Sequence, residues 1–300
     1  MMKHVAACLT CGLLALPVLA AAGSAARTYP LTPTRGGRLL VEARVNGVPV
    51  EALLDSAAEM SFIDPALAQR LGLTRGAAVA AQGSGAAPVD AGLVPGVRLE
   101  AFGLLLPDQT LAVTGLADIG TRLLHRRIDM ILGREVFDAA RLEIDIAHRR
   151  LRVLKVHEQP RGTRLVLSTQ RGIETLSVRV EGGPPVQAAL DLGNGSQVLI
   201  GAALAARLNL LHDGRPVRSL AGGGLGGARQ RQVITLRTLD VAGCRLAAVP
   251  AAIDDKESAT DLNIGVSVLR HFRVTTDFAA HLAWLEPEAG LRCSRSAGPN

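Results

Sequence analysis

Apolar and polar residues alternate in two stretches of the chain, and the alternation has the same phase in both. Residues 39–45 read Leu-Leu-Val-Glu-Ala-Arg-Val, and residues 174–180 read Glu-Thr-Leu-Ser-Val-Arg-Val. A period of two predicts β-strands with one buried face. Turn-forming residues follow each stretch, Asn46-Gly47 in the first and the longer Glu-Gly-Gly-Pro of 181–184 in the second. Each half of the chain is therefore predicted to begin with a β-hairpin.

The return strand of each predicted hairpin ends in an aspartate and a turn of small residues. Asp55 lies in Val-Glu-Ala-Leu-Leu-Asp-Ser-Ala, and Asp191 lies in Val-Gln-Ala-Ala-Leu-Asp-Leu-Gly. A short helix is predicted after each: residues 64–72 carry an Asp cap, a Pro at the first helical position and a terminal Gly, and 201–209 form a weaker version. An aspartate before such a turn is ordinarily a turn-former, but its recurrence in matched contexts indicates a shared role.

Both halves then contain a glycine-rich stretch followed by strand-like sequence. The first includes Gly83, Ser84 and Gly85, and the second, 221–227, includes Gly223, Gly224 and Leu225. The second also matches the G-x-G-x-x-G spacing of dinucleotide-binding turns, but residues 232–237 read as a strand, whereas that motif requires a helix. We therefore predict two flexible hairpin tips and no nucleotide site.

A third block closes each half. Gly133 ends an apolar run and precedes Asp145 by 12 residues, and Gly265 precedes Asp277 by the same 12. Three ordered blocks at nearly constant offsets indicate an internal duplication, with a polar Pro/Gly linker near its middle. We predict an N-terminal lobe over residues 23–157, a C-terminal lobe over 163–290 and a tail over 291–300.

The order of these blocks resembles that of the retropepsin-like aspartic proteases, over roughly residues 36–155 and 170–286. In that family a strand ending in Leu-Leu-Asp-Ser-Ala is followed by a glycine-rich flap and by two apolar residues with a glycine. The resemblance implies an all-β, bilobed pepsin/retropepsin-like acid protease fold, with two related β-barrel-like lobes and short helices. Each lobe would supply one aspartate.

The resemblance also implies roles for particular residues. Asp55 and Asp191 would form a catalytic pair that holds a water molecule and shares one proton, because two carboxylates about 3 Å apart do not both ionise. The substrate would be an extended peptide or protein segment, and no metal or other cofactor is implied. Supporting residues of the catalytic loops would be Ser56, Ala57, Gly193, Gly133 and Gly265, and the flaps would be the tips at Gly83, Ser84 and Gly85 and at Gly223, Gly224 and Leu225.

One departure from the family pattern divides the functional hypotheses. The family places Thr or Ser after each aspartate, where the hydroxyl bonds to the opposite loop; Ser56 fits and Leu192 does not. The first hypothesis is an aspartic endopeptidase that hydrolyses peptide bonds through Asp55, Asp191 and an activated water. The alternative is a catalytically silent relative that binds extended peptides or a partner protein.

Composition removes several other classes of function. Hydrophobic residues make up 48% of the 300 residues, aromatic residues only 2%, and the net charge is +6. The arginines are scattered and stacking platforms are scarce, so nucleic-acid binding is disfavoured. The histidines show no H-E-x-x-H or similar ligand spacing, which disfavours zinc, and Ser196 lacks the G-x-S-x-G context of a nucleophilic serine.

The N-terminus indicates export. Residues 1–22 combine a positively charged start, an apolar run over 5–19 and an Ala-rich end, which is typical of a secretory signal peptide and too short for a stable membrane span. We therefore predict a periplasmic or extracellular protein without a membrane span after cleavage. Cys244 and Cys293 would then lie in an oxidising compartment, either as one disulfide or as two unpaired thiols.

Overall fold

The alternating stretches form strands in the computed structural model, which describes residues 27–256 and 260–294. The predicted signal peptide, residues 1–22, lies outside these described residues. The chain forms two similar eight-stranded sheets and a six-stranded sheet that both halves share. Within the described residues, no helix is long and apolar enough to cross a membrane.

The N-terminal lobe contains the strands β2–β9. Strands β3 and β4 are the predicted hairpin, and β4 runs parallel to β9 with Leu53 opposite Ile131. Pairing of β3 with β7 closes six of the strands into a barrel, with β2 and β6 attached at its margins. The bounds are β2 Thr32–Pro33, β3 Leu39–Val45, β4 Val48–Leu54, β5 Phe62–Ile63, β6 Ala78–Ala81, β7 Val89–Ala101, β8 Leu104–Val113 and β9 Met130–Leu132.

The C-terminal lobe repeats this arrangement. Strands β14 and β15 form the hairpin, β15 runs parallel to β20 with Ala189 opposite Asn263, and β14 pairs with β18 to close the barrel. The bounds are β13 Ser168–Gln170, β14 Ile173–Val180, β15 Pro185–Leu190, β16 Val198–Gly201, β17 Arg218–Gly224, β18 Gly227–Val241, β19 Cys244–Asp254 and β20 Leu262–Ile264.

Helices in the described residues are short and lie between strands. Helix α1 begins after Asp64, whose side chain accepts a hydrogen bond from the Ala66 N–H and so caps the first turn. Its counterpart α4 begins after Gly201 without a side-chain cap. The bounds are α1 Pro65–Arg70, α2 Ala117–Ile119 followed by a π-helical turn Gly120–Leu124, α3 Arg134–Ala139, α4 Ala202–Arg207, α5 Val266–Leu269 and a 3₁₀ turn Phe278–Ala280.

The third sheet joins the two halves of the chain. Its order is β1, β11, β10, β21, β22, β12, and its centre is the antiparallel pair β10–β21, one strand from each half. Its bounds are β1 Tyr29–Pro30, β10 Leu142–Asp145, β11 Arg150–Val153, β12 Thr163–Val166, β21 Phe272–Asp277 and β22 Leu282–Pro287. The predicted all-β, bilobed fold with two related barrel-like lobes is confirmed.

The buried side chains form one continuous core through both lobes and a smaller cluster in the N-terminal lobe. The continuous core is aliphatic, with Phe137 stacked on Phe278 where the halves meet. We call the smaller group the N-lobe cluster; its members are Leu40, Leu53, Leu116, Ile119, Leu124, Ile128 and Ile131. A disulfide joins Cys244 to Cys293 and ties the C-terminal segment to β19.

Candidate active site

Two loops, one from each lobe, bring Asp55 and Asp191 together. Asp55 follows β4 and Asp191 follows β15, and the backbone N–H of each aspartate donates to the strand paired beside it, at Leu132 and Ile264. The Cα of Gly193 in one loop lies directly against the carboxyl group of Asp55 in the other, so that a methyl group there would overlap it. Both aspartates are half-buried. The pseudo-twofold fold thus brings the two carboxyl groups close enough for the charge of Asp191 to act on Asp55.

Burial and proximity change the acidity of this pair. Burial raises the pKa of Asp55 to about 7, with a further rise from the charge of Asp191 and a partial offset from the backbone N–H groups of Ala57 and Ala58. Burial also raises the pKa of Asp191, against the opposing hydrogen bonds from Asn263, Asn194 and Gly193. The pair therefore retains a proton at pH values where ordinary carboxyl groups have lost theirs.

A buried arginine lies near enough to both carboxyl groups for their charges to act on it. Arg38 precedes β3, is only 8% exposed, and its Nε donates to the Gly193 carbonyl oxygen at 2.9 Å. Burial lowers the pKa of Arg38, while the charges of Asp191 and Asp55 raise it. One positive charge beside a pair that shares one proton leaves the site close to neutral, which reduces the cost of burying it.

Ser56 links the two loops through its hydroxyl group. Its Oγ donates to the Leu190 carbonyl oxygen at 2.7 Å and accepts from the Leu192 N–H at 2.9 Å. Leu192 has no hydroxyl to return these bonds; its side chain is fully buried in the continuous core. The contact between loops is therefore one-sided, with a hydroxyl from one lobe and apolar packing from the other.

We expect Ser56→Ala to lower the free energy of unfolding by about 1–3 kcal/mol, because the buried N–H of Leu192 and the carbonyl of Leu190 lose their shared partner. Urea denaturation measures this change. Ser196→Ala, at an exposed serine in the neighbouring turn, is the matched control and should change stability by less than about 0.5 kcal/mol. Equal effects of the two substitutions would contradict the bridging role.

The raised pKa of Asp55 leads to a second prediction, which concerns how the stability of the folded state changes with pH. Below about pH 4, Asp55 is protonated in both the folded and the unfolded state. As the pH rises from there to about 7, the unfolded state ionises first, so the folded state loses stability. Asp55→Asn removes this loss and should be more stable than wild type at pH 8, by at least about 1 kcal/mol or roughly 2–4 °C in Tm.

Thermal unfolding from pH 3 to 8 measures this difference. The difference in stability between Asp55→Asn and wild type should disappear at the acidic end of this pH range. Asp108→Asn, at an exposed aspartate of β8, serves as the control and should show no such pH-dependent gain. A variant at Asp55 that is less stable than wild type at pH 8 would contradict the assigned direction.

The two glycine-rich hairpin tips touch each other. The Gly85 N–H donates to the Leu225 carbonyl at 2.9 Å, and the Ala87 N–H donates to the Gly226 carbonyl at 3.0 Å. Gly83 and Ser84 lie in the same contact, against Leu225 and Gly224. Leu225 packs on the N-lobe cluster, whose member Leu53 lies two residues before Asp55. The tip of the second hairpin thus crosses to the opposite lobe.

Basic side chains hold the hairpin tips by their carbonyl oxygens. Arg122 donates to Gly222 at 3.1 Å and to Gly224 at 3.0 Å. Arg231 donates to Ser84 at 2.7 Å and Lys256 to Gly83 at 2.6 Å. Gly223 and Gly226 take positive φ angles, which let the chain turn at this tip.

Matching contacts support the loops from behind. The Arg134 N–H donates to the Ala58 carbonyl at 3.0 Å, and the Val266 N–H donates to the Asn194 carbonyl at 2.8 Å. Gly133 and Gly265 allow these close approaches, because a side chain at either would overlap backbone at Met60 or Asn194. Ala57 donates its N–H to Asp55 Oδ1 at 2.9 Å.

Three residues of the site were not among those singled out from the sequence: Arg38, Asn194 and Asn263. Asn263 Nδ2 lies 2.6 Å from Asp191 Oδ2, and Asn194 donates its N–H to Asp191 Oδ1 at 3.0 Å. The signal for Asn263 was available, since it is a polar residue in a block where the first copy has Ile131. Arg38 carried no comparable signal, because an arginine before a strand is common.

Comparison with known proteins agrees with this geometry. The family model described as aspartyl protease matches residues 41–136 and 176–268, which together make up more than half of the chain. Each matched segment contains one of the two aspartates, with Gly133 in the first segment and Gly193 and Gly265 in the second. A search of curated proteins found no match to this chain.

Proposed function

The chain belongs to the aspartyl protease family, and we propose that it is an endopeptidase that hydrolyses peptide bonds through Asp55, Asp191 and a water molecule held between them. The observation that carries this proposal is the contact of Gly193, two residues after Asp191, with the carboxyl group of Asp55. Burial raises the pKa of both carboxyl groups, and the charge of Asp191 raises that of Asp55 further. A pair that shares one proton supplies an acid and a base from identical side chains.

The proposed reaction uses both carboxyl groups in two steps. The ionised carboxylate takes a proton from the water while the water oxygen attacks the peptide carbonyl carbon. The protonated carboxyl group donates its proton to the carbonyl oxygen. The resulting diol collapses as its C–N bond breaks. The amide nitrogen takes the proton that came from the water, and one diol hydroxyl returns its proton to the other carboxylate. Both groups are then restored.

An extended peptide fits the architecture around the pair. The hairpins that end at Gly85 and Leu225 are sheet-edge segments with backbone groups able to pair with a peptide backbone. Their tips touch in the structure, so a substrate must separate them to enter. The hydrogen bonds that hold them end on backbone carbonyls, and a bound peptide can replace these bonds.

The rate of cleavage should fall as the pH rises through about 7, because Asp55 loses its proton there and the pair then lacks its acid. Cleavage of fluorescein-labelled, unfolded casein from pH 3 to 9 measures the profile. We expect a bell-shaped curve for kcat/KM with its descending limb near neutral pH. A rate that continues to rise above pH 8 would contradict catalysis by a protonated carboxyl group.

A silent, peptide-binding relative is the second candidate, and Leu192 favours it. Among the residues that the structure describes, Ser56 alone contributes a hydroxyl to the contact between the loops, while Leu192 is buried in the core. A less constrained pair of loops reduces catalytic precision, and a displacement of about 1 Å costs roughly a hundredfold in rate. This candidate predicts peptide binding without cleavage.

We further propose that the protein is exported to the periplasm or the extracellular space. The apolar N-terminal segment supports this proposal, and so does the disulfide between Cys244 and Cys293, because disulfides persist in oxidising compartments. Cleavage after residue 22 would appear as a new N-terminus in protein purified from the host's periplasm, and a protein retaining Met1 there would contradict it.

A further inference from the structure

A chain of hydrogen bonds sets the orientation of the Asn194 side-chain amide. Its Oδ1 accepts from the Ser196 N–H at 3.2 Å, and its Nδ2 donates to the Gln197 carbonyl at 2.9 Å. A backbone N–H can only donate and a backbone carbonyl can only accept. The Asn194 amide therefore has a single orientation that satisfies both partners.

The orientation of Asn194 in turn sets that of Asn263. Asn194 Nδ2 also donates to Asn263 Oδ1 at 2.8 Å, so Asn263 must present its oxygen on that side. Its NH₂ group then faces Asp191 Oδ2 at 2.6 Å. The other oxygen of Asp191 receives the Asn194 N–H at 3.0 Å. Both oxygens of Asp191 thus face groups that only donate, an arrangement that favours the ionised form.

The N-terminal lobe lacks this relay. Ile131 pairs with Leu53, which lies two positions before Asp55. Asn263 pairs with Ala189, which lies two positions before Asp191, so Ile131 and Asn263 occupy equivalent positions. Ala58 occupies the place of Asn194, as the equivalent backbone bonds to Arg134 and Val266 show. Within the described part of the chain, no side chain donates a hydrogen bond to Asp55; its Oδ1 accepts from the Ala57 N–H.

The remaining charge at the site does not distinguish the two carboxyl groups by contact. Arg38 acts on both through its charge, more strongly on Asp191, while its Nε donates to the Gly193 carbonyl. Arg122, the next basic group, acts on Arg38 and is itself paired with Asp118. The unequal side-chain contact is therefore the amide pair on the Asp191 side, and the charge of Arg38 acts in the same direction.

We propose that Asn263, oriented by Asn194, is a positioning residue that keeps Asp191 ionised and leaves the shared proton on Asp55. Asp191 is then the base that takes a proton from water, and Asp55 is the acid that donates to the peptide carbonyl. This assignment rests on the proposed function of the pair. The duplicated site is asymmetric because the C-terminal lobe has the polar Asn263 at the position equivalent to Ile131 in the N-terminal lobe.

Direct titration of the two carboxyl groups tests this assignment without reference to activity. Protein labelled with ¹³C at the aspartate carboxyl carbons is titrated from pH 2 to 9 by NMR, and Asp55→Asn and Asp191→Asn variants identify the two signals. The pair should titrate in two steps, a lower step at more acidic pH and an upper step at higher pH. We expect the Asp191 signal to move in the lower step and the Asp55 signal in the upper step. The reverse order, or equal movement of both signals in each step, would overturn the proposal.

Asn263→Leu removes the donor while keeping a side chain of similar size. The lower step should rise by about one pH unit, because ionised Asp191 loses a charged hydrogen bond. The upper step should stay in place as long as Asp191 remains the ionised partner. Ile131→Leu, the matched change in the other lobe, should move neither step. An unchanged lower step in Asn263→Leu would overturn the proposal.

A second variant covers the case in which Asn263→Leu does not fold. Asn194→Ala leaves Asn263 in place but frees its amide to turn, and it should move the lower step in the same direction. The ascending limb of kcat/KM against pH should follow the NMR step in each variant. If wild type titrates as expected but cleaves no casein, the assignment stands and the proposed function fails.

Discussion

Asp55→Asn and Asp191→Asn should each reduce kcat/KM toward unfolded casein by at least about a thousandfold. Each substitution leaves one carboxyl group without the partner that shares its proton, so either the base or the acid is lost. The double variant should be little worse than either single variant, because the two groups act as one unit. Rates at pH 5 on protein of verified thermal stability measure the effect.

The stability of Asp55→Asn and a control variant separate a loss of catalysis from a loss of folding. Asp55→Asn is expected to be at least as stable as wild type at neutral pH, so a loss of activity cannot be assigned to unfolding. Asp108→Asn is the control, because Asp108 is an exposed aspartate of β8 outside the pair. Should either catalytic variant retain more than a tenth of the wild-type rate, the pair is not the catalytic centre.

Gly193→Ala should reduce kcat/KM by about a hundredfold or more. An added methyl group at residue 193 overlaps the carboxyl group of Asp55, so Asp55 or the second loop must move. A displacement of about 1 Å at reacting groups costs roughly this factor. Kinetics at the pH optimum, together with the NMR titration of Asp55, measure the effect.

Gly115→Ala is the matched control for this substitution. Gly115 is exposed, and nothing lies within 4 Å of the position that a Cβ would take there. It should leave both activity and titration unchanged. Near-wild-type activity in Gly193→Ala would show that the loops are not as closely constrained as their contact implies.

Much of each lobe could be predicted from the sequence because its signals are local. The Asn46-Gly47 turn, the strand that ends in Asp55 and the cap at Asp64 each depend on neighbouring residues alone. Repetition of these signals at 174–191 then predicted a second lobe and a face-to-face pair. The lobe limits at 157 and 163 remain a prediction, because strands from both halves share the six-stranded sheet.

The parts that could not be predicted depend on contacts between distant residues. Alternation in 142–145 indicates a strand but does not identify its partner, which is β21 of the other half. The contact of Gly85 with Leu225 likewise joins two tips that carry no mutual signal in the sequence. Asn263 is visible in the sequence as the polar counterpart of Ile131, but its contact with Asp191 depends on the pairing of β15 with β20.

The most direct measurement of the central claim follows binding and cleavage of the same labelled, unfolded casein by the purified protein from pH 3 to 7. We predict many cleavage events per protein molecule, with new peptide termini detected by mass spectrometry. Binding that leaves the casein intact at every pH would contradict the claim and identify the chain as a silent relative of the proteases.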